Sequence, residues 1–433
     1  MTSVRPLWQG RALALLGIVL VAFSLRSAVA SLSPVIDHIA EDFPVSPVVV
    51  GLIGAAPPVC FAVFGLLTPL AERRFGLERV AVIAIGLMTA GLLLRGFAVD
   101  SITLFAATVV VFAGVGSGNV LLPPLVKKYF PDRLGLMMTV YSTTMAISTF
   151  LPPMVAVPVA DALGWRVSLG LWGLFAAIAL VPWIALILAE RTQPAPAVPP
   201  VLRAPEPEED GRQDAASLAT GPITTSPANP RIFGRLRRIP LAWAIAGVFG
   251  TSSTMAYVSF AWMPTMLVDI GEVTPAAAGL LLSLFALVGL PASLVVPVLV
   301  VRFQATRPLF FVGVVAGLLG LAGLLFAPTI ALPLWVGLFG LSAIMFPLSL
   351  VLLSIRARTS ESAVALSGFV QSIGYGLAAV FPLLIGFLHE VTGAWQIPLI
   401  VLAAVLVAAI PAGYVAGRRS TVEEEWERRH GRW

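Results

Sequence analysis

Arg26 is a cation set inside the apolar stretch LVAFSLRSAVASLSPV, residues 20–35. A charged side chain at the centre of a membrane-crossing helix costs about 2.5–3.5 kcal/mol or more, so it must face a partner or a wet cavity. A guanidinium presents a planar fork of donors that suits a small planar anion or a nitro group. The chain repeats itself at an offset near 230, and Arg26 plus that offset falls on Ala256. Tyr257 therefore lies beside the symmetry mate of Arg26, at the same expected depth in the facing helix. A phenol and a guanidinium between apolar walls would grip such a solute by charge-assisted hydrogen bonds. The competing reading pairs Arg26 with backbone carbonyls and leaves it a purely structural role.

Other polar residues fall at similar depth. Gln371 lies ten residues into its predicted helix, about 15 Å at 1.5 Å per residue. The repeat offset matches it to Tyr141, and Tyr375 follows one turn later on the same face. These groups suit orientation of a polar ligand, or equally interhelical hydrogen bonds. Asn119 closes FAGVGSGN, whose alternating Gly114, Gly116 and Gly118 suit close helix approach. No Gly-Lys-Ser/Thr follows, so this is not a phosphate loop. Trp262 and Pro264, with Pro57, Pro58 and Phe61, suit hinges and aromatic gates, although Trp also anchors at membrane interfaces. Arg95 is expected to snorkel to the nearer surface.

The elements that must position these residues are read from composition. Apolar residues make up 58% of the 433-residue chain and charged ones 11%, with mean hydropathy +0.96, far from a soluble domain. The first apolar run is too long for a signal-peptide core and reads as the first span. Runs bounded by charges or turn residues predict twelve helices, at 11–40, 47–72, 79–98, 101–127, 134–161, 165–189, 240–269, 275–301, 307–327, 330–355, 362–389 and 395–417. All but Arg26, Arg95 and Arg166 of the 27 basic residues then fall on one side, which predicts cytoplasmic N- and C-termini in a cell membrane. The same asymmetry accounts for the net charge of +5 without nucleic acid. The lone Cys60 excludes an intrachain disulfide and a cysteine metal cluster, and His38, His389 and His430 make no zinc site.

Residues 191–239 are rich in proline and acidic residues and end in RIFGRLRR; they read as a disordered cytoplasmic linker with a surface anchor. The expected organisation is a six-helix bundle over 1–190, that linker, a second bundle over 240–418, and a cytoplasmic tail over 419–433. The halves repeat: Pro47, Gly51, Pro69, Arg74 and Arg79 match Pro275, Gly279, Pro297, Arg302 and Arg307 at 228, and Pro152 and Trp165 match Pro382 and Trp395 at 230. Parallel repeats of this kind place a binding site near the midplane between them.

Two six-helix halves with PLAERRFGLER between the second and third helices resemble the major facilitator superfamily and its Gly-x-x-x-Asp-Arg-x-Gly-Arg-Arg loop; Thr68, Glu72 and Glu78 depart from that pattern. FSLRSAVASLSPVI, GNVLLPPLVKKYFP, YVSFAWMPTML and SGFVQSIGYGLAAVFPLLIGFLHEVTGAW resemble its cyanate and 2-nitroimidazole porter family. The resemblance implies a cavity lined by helices 1, 4, 7 and 10. It also implies a latch at the 2/3 loop built from Glu72, Arg73 and Arg79, with Lys127, Lys128 and Arg133 nearby. No Asp or Glu falls mid-span, so a buried carboxylate proton relay is not visible; a coupling proton would work through the substrate's ionisation or through Asp37 and His38. The fifth helix lacks the Gly-Pro-Gly-Gly pattern of drug antiporters, which favours uptake.

The expectation is an all-α, monomeric membrane transporter without cofactor, metal or enzymatic activity. It would move a small polar, anionic or nitro-bearing solute by alternating access, with Arg26, Asn119, Tyr141, Tyr257, Trp262, Gln371 and Tyr375 at the site and Glu72, Arg73, Arg79 and Pro264 at gates. Export of lipophilic drugs or metabolites is one alternative. A non-transporting membrane sensor is the other.

Overall fold

The computed structural model describes residues 11–130, 134–192, 230–431 and 433. Of the predicted disordered linker at 191–239, residues 193–229 lie outside the described ones; its basic end is ordered, with Pro230–Leu236 forming a short helix. Among the described residues, twelve helices are long and apolar enough to cross a membrane. They are α1 (Ala12–Ala30), α2 (Pro47–Phe75), α3 (Leu77–Gly96), α4 (Ser101–Tyr129), α5 (Leu134–Leu163), α6 (Trp165–Thr192), α7 (Pro240–Gly271), α8 (Pro275–Phe303), α9 (Thr306–Phe326), α10 (Leu332–Ile355), α11 (Ser360–Thr392) and α12 (Gln396–Ala416). We call the face where α1 begins the near face and the opposite one the far face. The polypeptide is an all-helical multi-pass membrane protein.

Proline decides where the observed helices depart from the predicted ones. The sequence predicts a first span unbroken to residue 40. Instead α1 ends at Ala30, Ser33–Val35 forms a 3-10 turn, and a short helix follows at Ile36–Asp42. Pro34 lacks an N–H, and its ring crowds the carbonyl four residues back, at Ala30. Pro347 acts likewise in α10, where Leu341–Ile344 tightens into a 3-10 segment. In α12 the break falls at Ala409, two residues before Pro411. By contrast α7 runs through Pro264 without interruption.

The internal repeat is visible in matching contacts. Ser46 caps α2 ahead of Pro47 by accepting from the Val49 N–H, and Thr274 caps α8 ahead of Pro275 by accepting from the Ala277 N–H. At the far face the indole of Trp165 donates to Asp42 at 2.9 Å, and that of Trp395 donates to Asp269 at 2.7 Å. The halves meet along α2 against α11 and α5 against α8. Glycines permit the approach at the far end. A side chain starting at Gly51 would begin 2.8 Å from the Pro382 carbonyl oxygen, and one at Gly279 would begin 2.5 Å from that of Pro153. One apolar core lies within the first half, with Ala14, Ile18, Leu25, Phe112 and Trp183; the other is built on Phe249, Phe310, Phe339 and Phe369 of the second half and takes in far-end residues of the first, such as Val35, Ile39 and Trp165.

The alternating glycines of α4 serve close approach. Gly114 packs on Met88 of α3, Gly116 on the Cys60 carbonyl of α2, and Gly118 on Leu25 of α1. Steps of two residues turn a helix by about 200°, so three glycines admit three different neighbours. Gly118 thereby brings α1, and with it Arg26, against the core of the first half.

The 419–433 tail is not featureless. Residues Val422–His430 form a helix, α13, with a capping box between Thr421 and Glu424. It docks under the second half: Glu425 accepts from the Leu241 N–H at the start of α7, and Glu423 accepts from the Arg358 N–H between α10 and α11.

Candidate substrate cavity

A cavity of about 230 Å³ lies between the halves. Its wall takes Arg26 from α1, Thr149 from α5, Ser252 and Tyr257 from α7, Ser293 from α8, Phe346 from α10 and Tyr375 from α11. The space suits a solute smaller than the drug-sized ligands of about 300–1,000 Å³ sites.

Arg26 is held half-buried by the packing of α1. Ser24 and Ser27 beside it turn their hydroxyls back onto the Leu20 and Ser24 carbonyls, so the helix satisfies its own polar groups and leaves the guanidinium for the cavity. There Arg26 makes polar contact with the Tyr257 phenol, and its charge reaches Tyr141 and Tyr375. Three phenols, from α5, α7 and α11, thus lie within electrostatic reach of one guanidinium. Phe61, Tyr257 and Tyr375 form a mutually edge-on trio, with ring centroids 6.0–6.4 Å apart, the arrangement aromatic quadrupoles favour. Phe249 stiffens it from behind, edge-on to Tyr375 at 5.0 Å.

The cavity therefore unites Arg26, Tyr257 and Tyr375. Tyr141 lies fully buried behind the wall, its hydroxyl unpartnered among the described residues. Asn119 is likewise buried off the wall, and its side-chain oxygen has no partner among the described residues. Gln371 donates along its own helix to the Ser367 hydroxyl at 2.7 Å. Trp262 donates to the Pro382 carbonyl at 2.9 Å and packs on Trp395, which seats it in the α7–α11 seam toward the far face. Glu72 and Arg79 sit at the near face and the Arg73 side chain lies outside the described ones. In that region Glu78 pairs with Lys128 and accepts from the Tyr129 hydroxyl, which joins α3 to α4 within one half.

Two features escape the sequence reading. The run Thr251, Ser252, Ser253 and Thr254 puts four buried hydroxyl residues at cavity depth; four such residues in succession in an apolar helix were the available signal. The second is Arg95, for which snorkelling is overturned. Its side chain is fully buried: Nε donates to the Thr108 hydroxyl at 3.1 Å, Nη1 to the Ala28 carbonyl at 2.8 Å, and the guanidinium lies over the Phe112 ring. Helical side chains tilt toward the N-terminus of their helix. For Arg95, in the last turn of α3, that direction is deeper into the membrane.

The chain is 32% identical over 406 residues to the "Uncharacterized transporter YycB" of Bacillus subtilis (strain 168), covering 93% of this chain and 92% of the relative. It is 30% identical over 412 residues to the "2-nitroimidazole transporter" of Escherichia coli (strain K12), covering 95% and 96%. It is 25% identical over 384 residues to the "Cyanate transport protein CynX" of the same organism, covering 88% and 90%. Twelve spans in two repeated halves around a charged central cavity agree with a match to the Major Facilitator Superfamily model across residues 18–379, and the chain belongs to that superfamily.

Proposed function

We propose that the protein is a secondary active transporter of the cell membrane that takes up a small, planar, anionic or nitro-bearing solute, such as cyanate or a nitroimidazole. The observation that carries this reading is Arg26, a guanidinium at membrane depth facing a small cavity that Tyr257 and Tyr375 also line. The solute's oxygens replace the water that Arg26 would otherwise need, and the low-polarity walls strengthen the pairing. Tyr257 and Tyr375 donate hydrogen bonds to the same acceptors, and the aromatic trio holds the plane of the solute. The relatives named for 2-nitroimidazole and cyanate support planar acceptor-bearing solutes.

Transport follows if the halves rock about this site, opening it to one face and then the other. With the basic segments inside, the near face and both termini are cytoplasmic. The far-face glycine contacts then close the outer entrance in this conformation, and α2–α11 and α5–α8 are the seams that part. The protein works as a monomer, since both halves of the site come from one chain.

Proteoliposome uptake of radiolabelled cyanate and 2-nitroimidazole tests the reading. Wild-type protein should accumulate at least one of them, Arg26→Ala should abolish it, and Arg26→Lys should retain only a small fraction because a point charge cannot bind bidentately. Undiminished transport by Arg26→Ala would overturn it.

A further inference from the structure

A second, smaller pocket adjoins the central cavity on its far side, with a volume of about 20 Å³. Val29, Tyr257 and Phe260 line both and form the partition between them. Two donors in its wall are buried and unpartnered among the described residues: Nη2 of Arg95 and the Ser33 hydroxyl. With Nε and Nη1 of Arg95 engaged by Thr108 and Ala28, Nη2 is the donor left for an occupant. Ser33 sits in the 3-10 turn that Pro34 imposes, which turns its hydroxyl out of the helical bonding pattern. The remaining wall is largely apolar, with Leu32, Ile36, Val50 and Ile53.

We propose that Arg95 and Ser33 form a second anion station, placed between the central site and the far face. A buried guanidinium with a free donor needs an acceptor, because leaving it unmet costs more than an ordinary hydrogen bond returns. The pocket's volume of about 20 Å³ is little more than the ~10–15 Å³ that a single water needs, so it admits at most a slim monovalent anion such as a linear triatomic and excludes a bulky one. A solute entering from the far face meets Arg95 first and passes Tyr257 to reach Arg26. The two charges thus divide a deep path into two short steps, so neither site has to bind tightly enough to trap the solute. This proposal rests on the small-anion reading of the central cavity.

Azide, a linear monovalent anion with a strong infrared stretch, tests both levels. Equilibrium dialysis and infrared difference spectra on the purified full-length protein should find two azides per chain, with distinct stretches. Arg26→Gln and Arg95→Gln should each remove a different one. Ser33→Ala should weaken the Arg95-dependent azide about fivefold or more while leaving the other unchanged, and it decides the question if Arg95→Gln fails to fold. One azide lost only with Arg26→Gln would overturn the second station and leave the central reading intact. Absence of any bound azide in wild type would count against both. A high-resolution structure grown in azide that shows only a water between Arg95 and Ser33 would also overturn the station.

Discussion

A side chain at Gly279 would begin 2.5 Å from the carbonyl oxygen of Pro153, in the opposite half of the molecule. Gly51 stands in the same relation to Pro382, 2.8 Å away, and the two glycines occupy equivalent positions of the internal repeat. Both contacts press one backbone on another, and a backbone cannot step aside as a flexible side chain can. Gly279→Val should therefore prevent closure of the far face without unfolding either bundle, since the clash lies between them. Spin-label distances across the far face should lengthen, and uptake should fall by about tenfold or more. A variant that closes normally would show that the seam tolerates a side chain.

Much of this architecture is legible in the sequence, and its failures have physical causes. The offsets linking Pro47 to Pro275 and Trp165 to Trp395 expose the duplication because each residue does a local job, at a helix start or a helix-end hydrogen bond, that both copies need. Arg26 announces itself because a charge among apolar residues has few uses. Arg95 does not, since depth alone cannot say which way a long side chain turns; the tilt of the Cα–Cβ bond decides that. Asn119 and Gln371 lie off the cavity wall for a related reason. Their depth is right, but one residue along a helix rotates a side chain by about 100°.

Arg95 also knits α1, α3 and α4 together through Ala28 and Thr108. Thr108→Val keeps the shape and removes the acceptor for Nε, leaving a buried charged donor unmet. Such a loss costs about 1–3 kcal/mol or somewhat more. The melting temperature of the purified protein should drop by several degrees, while Ile102→Val, at an exposed position in the same helix, should matter little.

The far face carries a titratable contact. Partial desolvation first, and then the negative charges of Asp269 from the other half and of Glu41, push the Asp37 carboxyl above its ordinary value; His38 offsets this in part. His38 is itself engaged by Asp161 at 2.8 Å. A carboxyl with a raised pKa in the closed state binds its proton better there than when the halves part. Protonation thus favours closure, fully so below the ordinary value of about 3.9, and this contribution is lost as pH rises through the raised value. Far-face distances should lengthen as pH is brought from that region to neutrality. Asp37→Asn should flatten the response and hold the closed form at neutral pH.

The tail helix α13 makes the last prediction. Glu425 reaches the Leu241 N–H, one of the unsatisfied donors at the start of α7, and the Val422 N–H donates to the Arg356 carbonyl. Arg358 answers with ion pairs to Glu424 and Glu427. Desolvation works against its charge, but the two carboxylates outweigh it and raise an already high pKa, so the contact stays charged at any physiological pH. Exposed pairs contribute little, whereas a buried carboxylate at a helix N-terminus contributes about 0.5–2 kcal/mol. Glu425→Ala should accordingly lower thermal stability more than Glu427→Ala. Because α7 carries Tyr257 at its middle, loosening its first turn should also weaken solute binding. Parallel melting curves and binding isotherms for the two variants would separate the effects, and equal behaviour of the pair would show that α13 does not anchor α7.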